Sequence, residues 1–226
     1  MKVTALIPAY NEAARIGETI AAVADIPGIS QIVVIDDGST DGTARVVQNY
    51  PVELIRLPYN QGKGEALNAG WQAYSADIYL LLDADLKSSA VHAVELLRPV
   101  LADEADMSIA AFGSYQSDSG VRMGFGIAKR FAGWGIRLLT GRELQSPLSG
   151  QRAVRREVLA DCGGFASGFG VEVALTIGAL RRGYRVVEIE LPMTHRATGR
   201  GLAGFSHRGR QLWQIGKALY RAWRQC

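Results

Sequence analysis

The sequence has little cysteine and no long apolar segment. Its 226 residues include two cysteines, Cys162 and Cys226, whose spacing fits neither a disulfide framework nor a metal-ligand motif. We therefore expect free thiols in a cytoplasmic protein. No run of about 18 apolar residues occurs, so we expect no membrane-spanning helix. The segment from Met1 to Pro8 is too short for a signal peptide and is interpreted as a first strand.

Acidic residues are missing from the last part of the sequence. After Glu190 there are seven Lys or Arg and no Asp or Glu, which leaves 18 basic against 22 acidic residues before it. The net charge of +3 therefore combines a mildly acidic body with a basic tail. Such a tail favours contact with phosphates of a nucleotide, an acceptor or a lipid surface. With 48% hydrophobic and 21% charged residues, the body is typical of one folded domain.

Short apolar segments alternate with helical patterns through the first half. The predicted strands are Val3–Ile7, Gln31–Ile35, Val52–Leu57 and Ile78–Leu82, and the predicted helices contain Ile16–Val23, Thr43–Asn49 and Ala66–Tyr74. This order predicts an α/β fold in which helices cover both faces of a mostly parallel sheet. The second half adds predicted strands at Ala105–Phe112 and Arg185–Leu191, a helical spacing of Ile127, Phe131, Trp134 and Leu138, and a helix at Glu172–Leu180.

Polar segments follow all four strands of the first half. They are Pro8-Ala9-Tyr10-Asn11-Glu12, Asp36-Asp37-Gly38-Ser39-Thr40-Asp41-Gly42, Asn60-Gln61-Gly62-Lys63-Gly64 and Asp83-Ala84-Asp85. Ligands of parallel sheets bind beyond the carboxyl ends of the strands. We therefore expect these four segments to form one site.

The triplet Asp83-Ala84-Asp85 follows an apolar strand that we expect to be central. Two carboxylates at this depth need a cation or hydrogen-bond donors to offset their desolvation. Hard oxygen ligands at this spacing suit Mg²⁺ or Mn²⁺. The simpler alternative is a pair of turn-forming aspartates.

The other segments combine turn chemistry with candidate binding groups. Asp36 or Asp37 is a candidate acceptor for a base N–H or for ribose hydroxyls, while Ser39 or Thr40 is expected to cap the next helix. Asn11 and Glu12 are expected either to cap the first helix or to contact the nucleoside. Lys63, between Gly62 and Gly64 at a helix start, is placed to approach an anion, although the segment is not a Walker A loop.

The second half supplies further candidates. His195 follows the last strand and is a candidate third metal ligand, although a lone His is more often structural. Arg196 and Arg200, with glycines beside them, are candidates for a flap over a diphosphate. Glu172 is a candidate general base or sugar-hydroxyl ligand, and equally a favourable residue in the first turn of a helix.

The segment 205–226 has the pattern of a basic amphipathic helix, with Leu212, Ile215, Leu219, Tyr220 and Trp223 opposite Arg210, Lys217, Arg221 and Arg224. This pattern fits docking on an anionic membrane. Packing on the domain, or on a second subunit in a homodimer, fits equally well. The acidic body and the lack of a recognised binding module argue against nucleic acid.

In order and content, the four segments of the first half resemble the motifs of family two glycosyltransferases, together with Ala66-Leu67-Asn68-Ala69-Gly70. The resemblance implies the glycosyltransferase-A fold with a Rossmann-like central sheet. It implies that Asp83 and Asp85 hold a diphosphate through a divalent metal. It also implies a nucleotide pocket lined by Pro8, Ala9, Tyr10, Glu12, Asp36 or Asp37, Gly62, Lys63 and Ala84.

The second half is similar in layout to glucosyl-3-phosphoglycerate synthases through Pro147–Gly150, Arg155-Arg156-Glu157 and Gly168–Glu172. That similarity implies that Ser149 and Gly150 face the sugar or acceptor, and that His195 completes the metal site. The same half is similar to polyprenyl-phosphate glycosyltransferases, which transfer to a lipid phosphate and sit on the membrane. The sequence lacks the extra segments of the former and the membrane domain of larger members of the latter.

We therefore expect a glycosyltransferase domain at 1–204, with a nucleotide-sugar half at 1–112 and an acceptor half at 113–204. The expected reaction moves a sugar from a nucleoside diphosphate sugar, with UDP-glucose as first choice, to a phosphorylated or lipid-linked acceptor. Asp85 and Glu172 are the expected catalytic residues, in an enzyme of the cytoplasm or of the inner membrane face that serves the cell envelope. The alternatives are transfer to a small soluble phosphorylated acid, a sugar nucleotidyltransferase and a non-catalytic nucleotide-binding module.

Overall fold

A seven-stranded sheet forms the centre of the protein. The structure is a computed structural model that describes residues 1–112, 125–166, 170–193 and 216. The strands are β1 (Val3–Ala9), β2 (Gln31–Asp36), β3 (Glu53–Arg56), β4 (Ile78–Leu81), β5 (Met107–Phe112), β6 (Arg152–Arg155) and β7 (Val186–Leu191). They lie in the order β3-β2-β1-β4-β6-β5-β7. In the described part of the chain only β6 runs antiparallel to its neighbours.

Helices cover both faces of this sheet. They are α1 (Ile16–Ala24), α2 (Thr43–Val47), α3 (Lys63–Ala73), a 3₁₀ helix (Lys87–Ala93) that continues into α4 (Val94–Leu101), α5 (Phe125–Thr140), α6 (Arg156–Cys162) and α7 (Val171–Arg181). Alternate residues of β1 belong to different cores: Ile7 packs with α1 and α4, while Leu6 packs with α3 and α7. Burial on both faces explains why the strands have near-continuous apolar sequences.

The predicted fold class is confirmed, as are six strands and five helices within one to three residues at most ends. β6, α4 and α6 were not predicted. The centre of the sheet is fully buried at Leu80 and Ile7. Truncation of such a side chain to alanine costs about 2–5 kcal/mol of folding free energy, so this sheet is a rigid base for the loops at its carboxyl edge.

α5 forms where helical spacing predicts it, but small residues make much of its buried face. Ala128, Ala132 and Ile136 are buried, whereas Trp134 and Leu138 are 60% and 66% exposed. Small side chains let the helix approach α7 closely, which leaves the bulkier residues outside. In the described part of the chain, no helix combines the length and the apolar character needed to span a membrane. The predicted segment 205–226 lies outside the described residues, except for Gly216.

Candidate functional site

The acidic triplet lies at the point where the strand order changes direction, since β2 and β3 extend the sheet on one side of β1 and β4 extends it on the other. β2 pairs with one edge of β1 and β4 with the other, so a crevice opens between the carboxyl ends of β1 and β4. Asp83 and Asp85 follow β4 directly and are half-buried, while Ala84 between them is buried. The Ala84 carbonyl accepts a 2.8 Å hydrogen bond from the Thr19 hydroxyl, which ties the triplet to α1.

Lys63 joins two acidic side chains from different parts of the chain. Its Nζ lies 2.6 Å from Asp83 Oδ1 and 3.0 Å from Glu172 Oε1. Burial alone would lower the pKa of Lys63, but the charges of Asp83 and Glu172 outweigh it and raise that pKa. Lys63 is therefore a cation at neutral pH. It begins α3 and Glu172 lies in the first turn of α7, so two helix N-termini meet at the end of β4.

The Pro147–Gly150 loop reaches the same place because β6 runs antiparallel to β4. Leu81 pairs with Arg152, and continuing this register by two residues places Gly150 opposite Asp83. A Cβ at Gly150 would overlap Lys63 Nζ and would lie 3.0 Å from both carboxylate oxygens of Asp83. Because Gly150 has no Cβ, this backbone lies close to the acidic triplet without displacing the Lys63 ammonium group. Ser149 is also buried, at 4% exposure.

Gln151 and Arg152 support this loop from below. Gln151 Nε2 donates a 2.6 Å hydrogen bond to Asp83 Oδ2. Arg152 is 1% exposed and donates to the Ser149 carbonyl at 2.9 Å and to Thr176 Oγ1 at 2.8 Å. Burial lowers the pKa of Arg152 to about 10, although the charges of Glu172 and Glu188 oppose this shift. Arg152 thus stays charged at neutral pH beneath the site.

The loops after β1 and β2 are tied to each other. Asn11, at φ +56°, accepts hydrogen bonds on Oδ1 from the backbone N–H groups of Thr40 and Asp41. In return, its own N–H donates to Ser39 Oγ at 2.9 Å. The prediction that Asn11 or Glu12 caps α1, and that Ser39 or Thr40 caps α2, is wrong, because neither helix has a side-chain cap. Asn11, Ser39 and Thr40 instead hydrogen-bond between the two loops.

Asp36 and Asp37 lie at the end of β2 and are almost fully buried. Asp37 accepts backbone hydrogen bonds from Gln61 at 2.7 Å and from Gly62 at 2.8 Å, so it holds the turn that leads to Lys63. Asp36 accepts the Ser39 N–H at 2.9 Å. Ionised carboxylates have about four acceptor positions, so neither side chain is saturated by these contacts.

The remaining residues predicted from the first half line the same edge. Ala9 is buried and its carbonyl accepts the Asp37 N–H at 2.8 Å. Tyr10 is 46% exposed, which leaves its ring accessible beside the crevice. Pro8 is partly buried, and Glu12 forms a 2.8 Å ion pair with Arg15. The structure thus brings all four predicted segments of the first half to one edge.

The donor set at the end of β4 fits a hard divalent cation in part. Asp83 and Asp85 offer carboxylate oxygens of the kind that such a cation prefers, but the position beside Asp83 that a Cβ at Gly150 would take is filled by Lys63 Nζ. Within residues 1–112, 125–166 and 170–193 there is no group of three His, Cys, Asp or Glu that would hold a metal alone. His195, Arg196 and Arg200, predicted as metal and phosphate ligands, lie outside the described residues.

Two contributors to the site were not predicted from the sequence. Gln151 and Arg152 follow the predicted loop directly, and the antiparallel register of β6 is what places them against β4. The sequence did contain an indication of a short strand, because the apolar pair Ala153-Val154 follows Gln151 and Arg152. Without a predicted strand there, no partner could be assigned to them.

Comparison with known proteins assigns the fold and the family. The chain matches the model of glycosyl transferase family 2 over residues 4–173. It is 27% identical to a dolichol-phosphate mannosyltransferase of Pyrococcus furiosus, over 98% of this chain and 63% of that protein. It is 28% identical to an undecaprenyl-phosphate mannosyltransferase of Micrococcus luteus, over 88% of this chain and 86% of that one. The chain thus spans less than two thirds of the length of the Pyrococcus relative.

A similar solved structure is glucosyl-3-phosphoglycerate synthase of Mycobacterium tuberculosis in complex with Mn²⁺, UDP and phosphoglyceric acid. The two chains share 28% identity with a TM-score of 0.80, over 98% of this chain and 78% of that one. The similarity confirms the glycosyltransferase-A fold expected from the motifs. The chain belongs to glycosyl transferase family 2.

Proposed function

We propose that this family 2 protein is a glycosyltransferase that moves a sugar from a nucleoside diphosphate sugar to a phosphorylated or lipid-linked acceptor, with a divalent cation as cofactor. The observation that carries the proposal is the meeting of Asp83, Lys63 and Glu172 beside Asp85 at the carboxyl end of β4. A sugar nucleotidyltransferase and a non-catalytic module are less well supported, because the family match over residues 4–173 includes all four of these residues.

On this proposal the acidic triplet holds the diphosphate of the donor. Asp85 and Asp83 would hold Mg²⁺ or Mn²⁺, which neutralises charge on a leaving diphosphate when it is bound. Supporting this assignment, the similar mycobacterial synthase was crystallised with Mn²⁺ and UDP. Asp37 and Tyr10, at the neighbouring loop ends, are the groups we assign to the nucleoside. UDP-glucose is the first choice of donor.

Lys63 contributes a fixed positive charge to the same site. Its ammonium group stabilises the negative charge of the triplet and also faces the Glu172 carboxylate at 3.0 Å. We assign Glu172 to an acceptor or sugar hydroxyl, either as a general base or as a hydrogen-bond acceptor. Ser149 and Gly150, beside Asp83, are assigned to the sugar. Arg196 and Arg200 are assigned to a flap over the diphosphate, and His195 is assigned as a third metal ligand.

Two acceptor classes are supported by different relatives. A small phosphorylated acid is favoured by the structural similarity to the phosphoglycerate-bound synthase. A polyprenyl phosphate is favoured by the mannosyltransferases with which the chain aligns over most of its length. The basic residues after Glu190 would suit either phosphate.

A thermal-shift screen of UDP- and GDP-sugars, with and without Mn²⁺, tests the donor half of the proposal. A ligand that binds the native state raises the apparent melting temperature. We expect one nucleotide sugar to do so only with the cation. Incubation of that donor with 3-phosphoglycerate or with undecaprenyl phosphate then separates the acceptor classes by the product formed. Absence of any shift across the panel would contradict the proposal.

A further inference from the structure

Gln151 lies beneath the acidic triplet, where the function proposed above assigns it no contact with substrate. Gln151 is 1% exposed and lies in the segment that leads into β6. Its Nε2 donates to Asp83 Oδ2 at 2.6 Å, and its Oε1 accepts from Ser149 Oγ at 3.2 Å. The amide therefore joins the acidic triplet to the Pro147–Gly150 loop.

The orientation of this amide follows from the chemistry of its two partners. An ionised carboxylate only accepts hydrogen bonds, so the group that faces Asp83 must be the NH₂. The carbonyl oxygen must then face the Ser149 hydroxyl, which is able to donate. Gln151 is the residue type that satisfies both neighbours at once, because a Glu would offer no donor and a Met no polar group.

Asp83 is consequently held from two sides. Lys63 binds Oδ1 and Gln151 binds Oδ2, each at 2.6 Å. Two donors on different oxygens fix the rotation of the carboxylate plane, which one donor alone does not do. Hydrogen bonds to ionised groups are short and strong, and each of these has the short distance expected of that class.

Gln151 is itself fixed by a rigid support. Arg152, its neighbour in the chain, is fully buried and donates to the Ser149 carbonyl at 2.9 Å. The same guanidinium donates to Thr176 Oγ1, and that hydroxyl donates to the Glu172 carbonyl at 2.7 Å. One buried cation thus connects the loop that carries Gln151 with the helix that carries Glu172.

We propose that Gln151 is a positioning residue that sets the orientation of the Asp83 carboxylate toward the donor diphosphate and its cation. The proposal rests on the function proposed above. Second-layer partners of this kind fix the geometry of a metal-binding or phosphate-binding carboxylate without touching the ligand. Removing one commonly weakens metal affinity by about 10–100-fold.

The variant Gln151→Glu tests this directly, because it preserves the size of the side chain and replaces the NH₂ donor with a carboxylate oxygen that only accepts hydrogen bonds. A carboxylate placed 2.6 Å from Asp83 Oδ2 must share a proton with it or repel it. The pair is then expected to take up a proton at a pH well above the usual carboxyl range. We expect Mn²⁺-dependent binding of the nucleotide sugar to be at least about tenfold weaker at pH 8, and to recover as the pH falls toward 5.5.

Gln151→Met and Gln72→Glu complete the design. Gln151→Met removes the donor without adding charge, so its loss of affinity should be the same at both pH values. Gln72→Glu adds the same charge at an exposed position on α3 and should leave binding unchanged. Wild-type affinity and pH dependence in both Gln151 variants would overturn the proposal.

A readout without any ligand separates failure of this inference from failure of the proposed function. Urea unfolding of Gln151→Glu should show a loss of stability at pH 8 that shrinks at pH 5.5, whereas Gln151→Met should show no such pH dependence. If wild type binds no nucleotide sugar while this stability pattern holds, the proposed function fails and the contact stands. If wild type binds the donor and Gln151→Glu unfolds like wild type at both pH values, the positioning role is wrong.

Discussion

Replacing Lys63 by methionine removes the cation that separates two carboxylates. Lys63 Nζ lies 2.6 Å from Asp83 Oδ1 and 3.0 Å from Glu172 Oε1. Methionine keeps most of the length of the side chain but supplies neither charge nor donor. Asp83 and Glu172 then face each other without a cation between them.

The distances determine the expected size of the effect. The two carboxylate oxygens lie no more than about 5.6 Å apart, so at an effective dielectric constant of about 20 they repel by about 3 kcal/mol. The side chains of Lys63 and Asp83 are 30% and 33% exposed, so solvent and salt reduce the repulsion. We expect Lys63→Met to lower the free energy of unfolding by about 1–2 kcal/mol at pH 8.

The sign of the pH dependence follows from the same charges. Without Lys63 one of the two carboxyl pKa values rises above its unfolded value, so the folded state binds the extra proton. The destabilisation is therefore present at pH 8 and shrinks as the pH falls through that raised pKa. In wild type the pKa of Lys63 is raised, so its stabilisation is complete at neutral pH and is lost only in strong alkali.

Urea unfolding at pH 8 and pH 5 measures both effects. The double variant Lys63→Met/Glu172→Gln should recover most of the lost stability, because only one carboxylate remains. Lys87→Met is the matched control, since Lys87 forms an exposed 3.6 Å pair with Glu18 and should change stability by less than about 0.5 kcal/mol. Equal stability of Lys63→Met and wild type at pH 8, or no recovery in the double variant, would refute the reasoning.

Three further predictions concern neighbouring positions. Gly150→Ala should weaken Mn²⁺-dependent nucleotide-sugar binding at least about tenfold in calorimetric titrations, because its Cβ would overlap Lys63 Nζ. Gly133→Ala should bind normally, because its Cβ would come no closer than 4.0 Å to a neighbouring atom, the Leu144 carbonyl oxygen. Gly38→Ala should lower the melting temperature sharply or prevent folding, because Gly38 has φ +68° and a Cβ there would overlap the Tyr59 backbone; an unchanged melting curve would contradict the packing. Burial raises the pKa of the Cys162 thiol, so peptide mapping should find Cys162 alkylated more slowly at pH 7 in the native chain than in urea, and equal rates would exclude this.

Much of the fold could be predicted because the strands of the first half are apolar on both faces. Leu6 and Ile7 serve opposite cores, so the sequence of β1 has no polar alternation and indicates a sheet covered by helices. The four polar segments after these strands then had to meet at one edge. That part of the site depends on local sequence and on the general rule for parallel sheets.

The rest depends on contacts between distant residues. β6 begins with the fully buried Arg152, and an apolar pattern does not predict a strand that starts with a charged residue. The guanidinium is accommodated there by hydrogen bonds to the Ser149 carbonyl and to Thr176 of α7, which are distant in sequence or outside the strand. The antiparallel pairing of β6 with β4 is what brings Gln151 to Asp83. Glu172 could be selected as a candidate, but its ion pair with Lys63 exists only once the N-termini of α3 and α7 meet.

The most direct test of the account is calorimetric titration of UDP- and GDP-sugars into wild type and Asp85→Asn, with and without Mn²⁺. Asp25→Asn, at the exposed end of α1, is the control. We predict that one nucleotide sugar binds wild type and Asp25→Asn only with Mn²⁺, and that Asp85→Asn loses that binding while keeping its melting temperature. Binding of equal strength to Asp85→Asn, or binding to wild type that is independent of Mn²⁺, would contradict the assignment of the acidic triplet as the cation-dependent donor site.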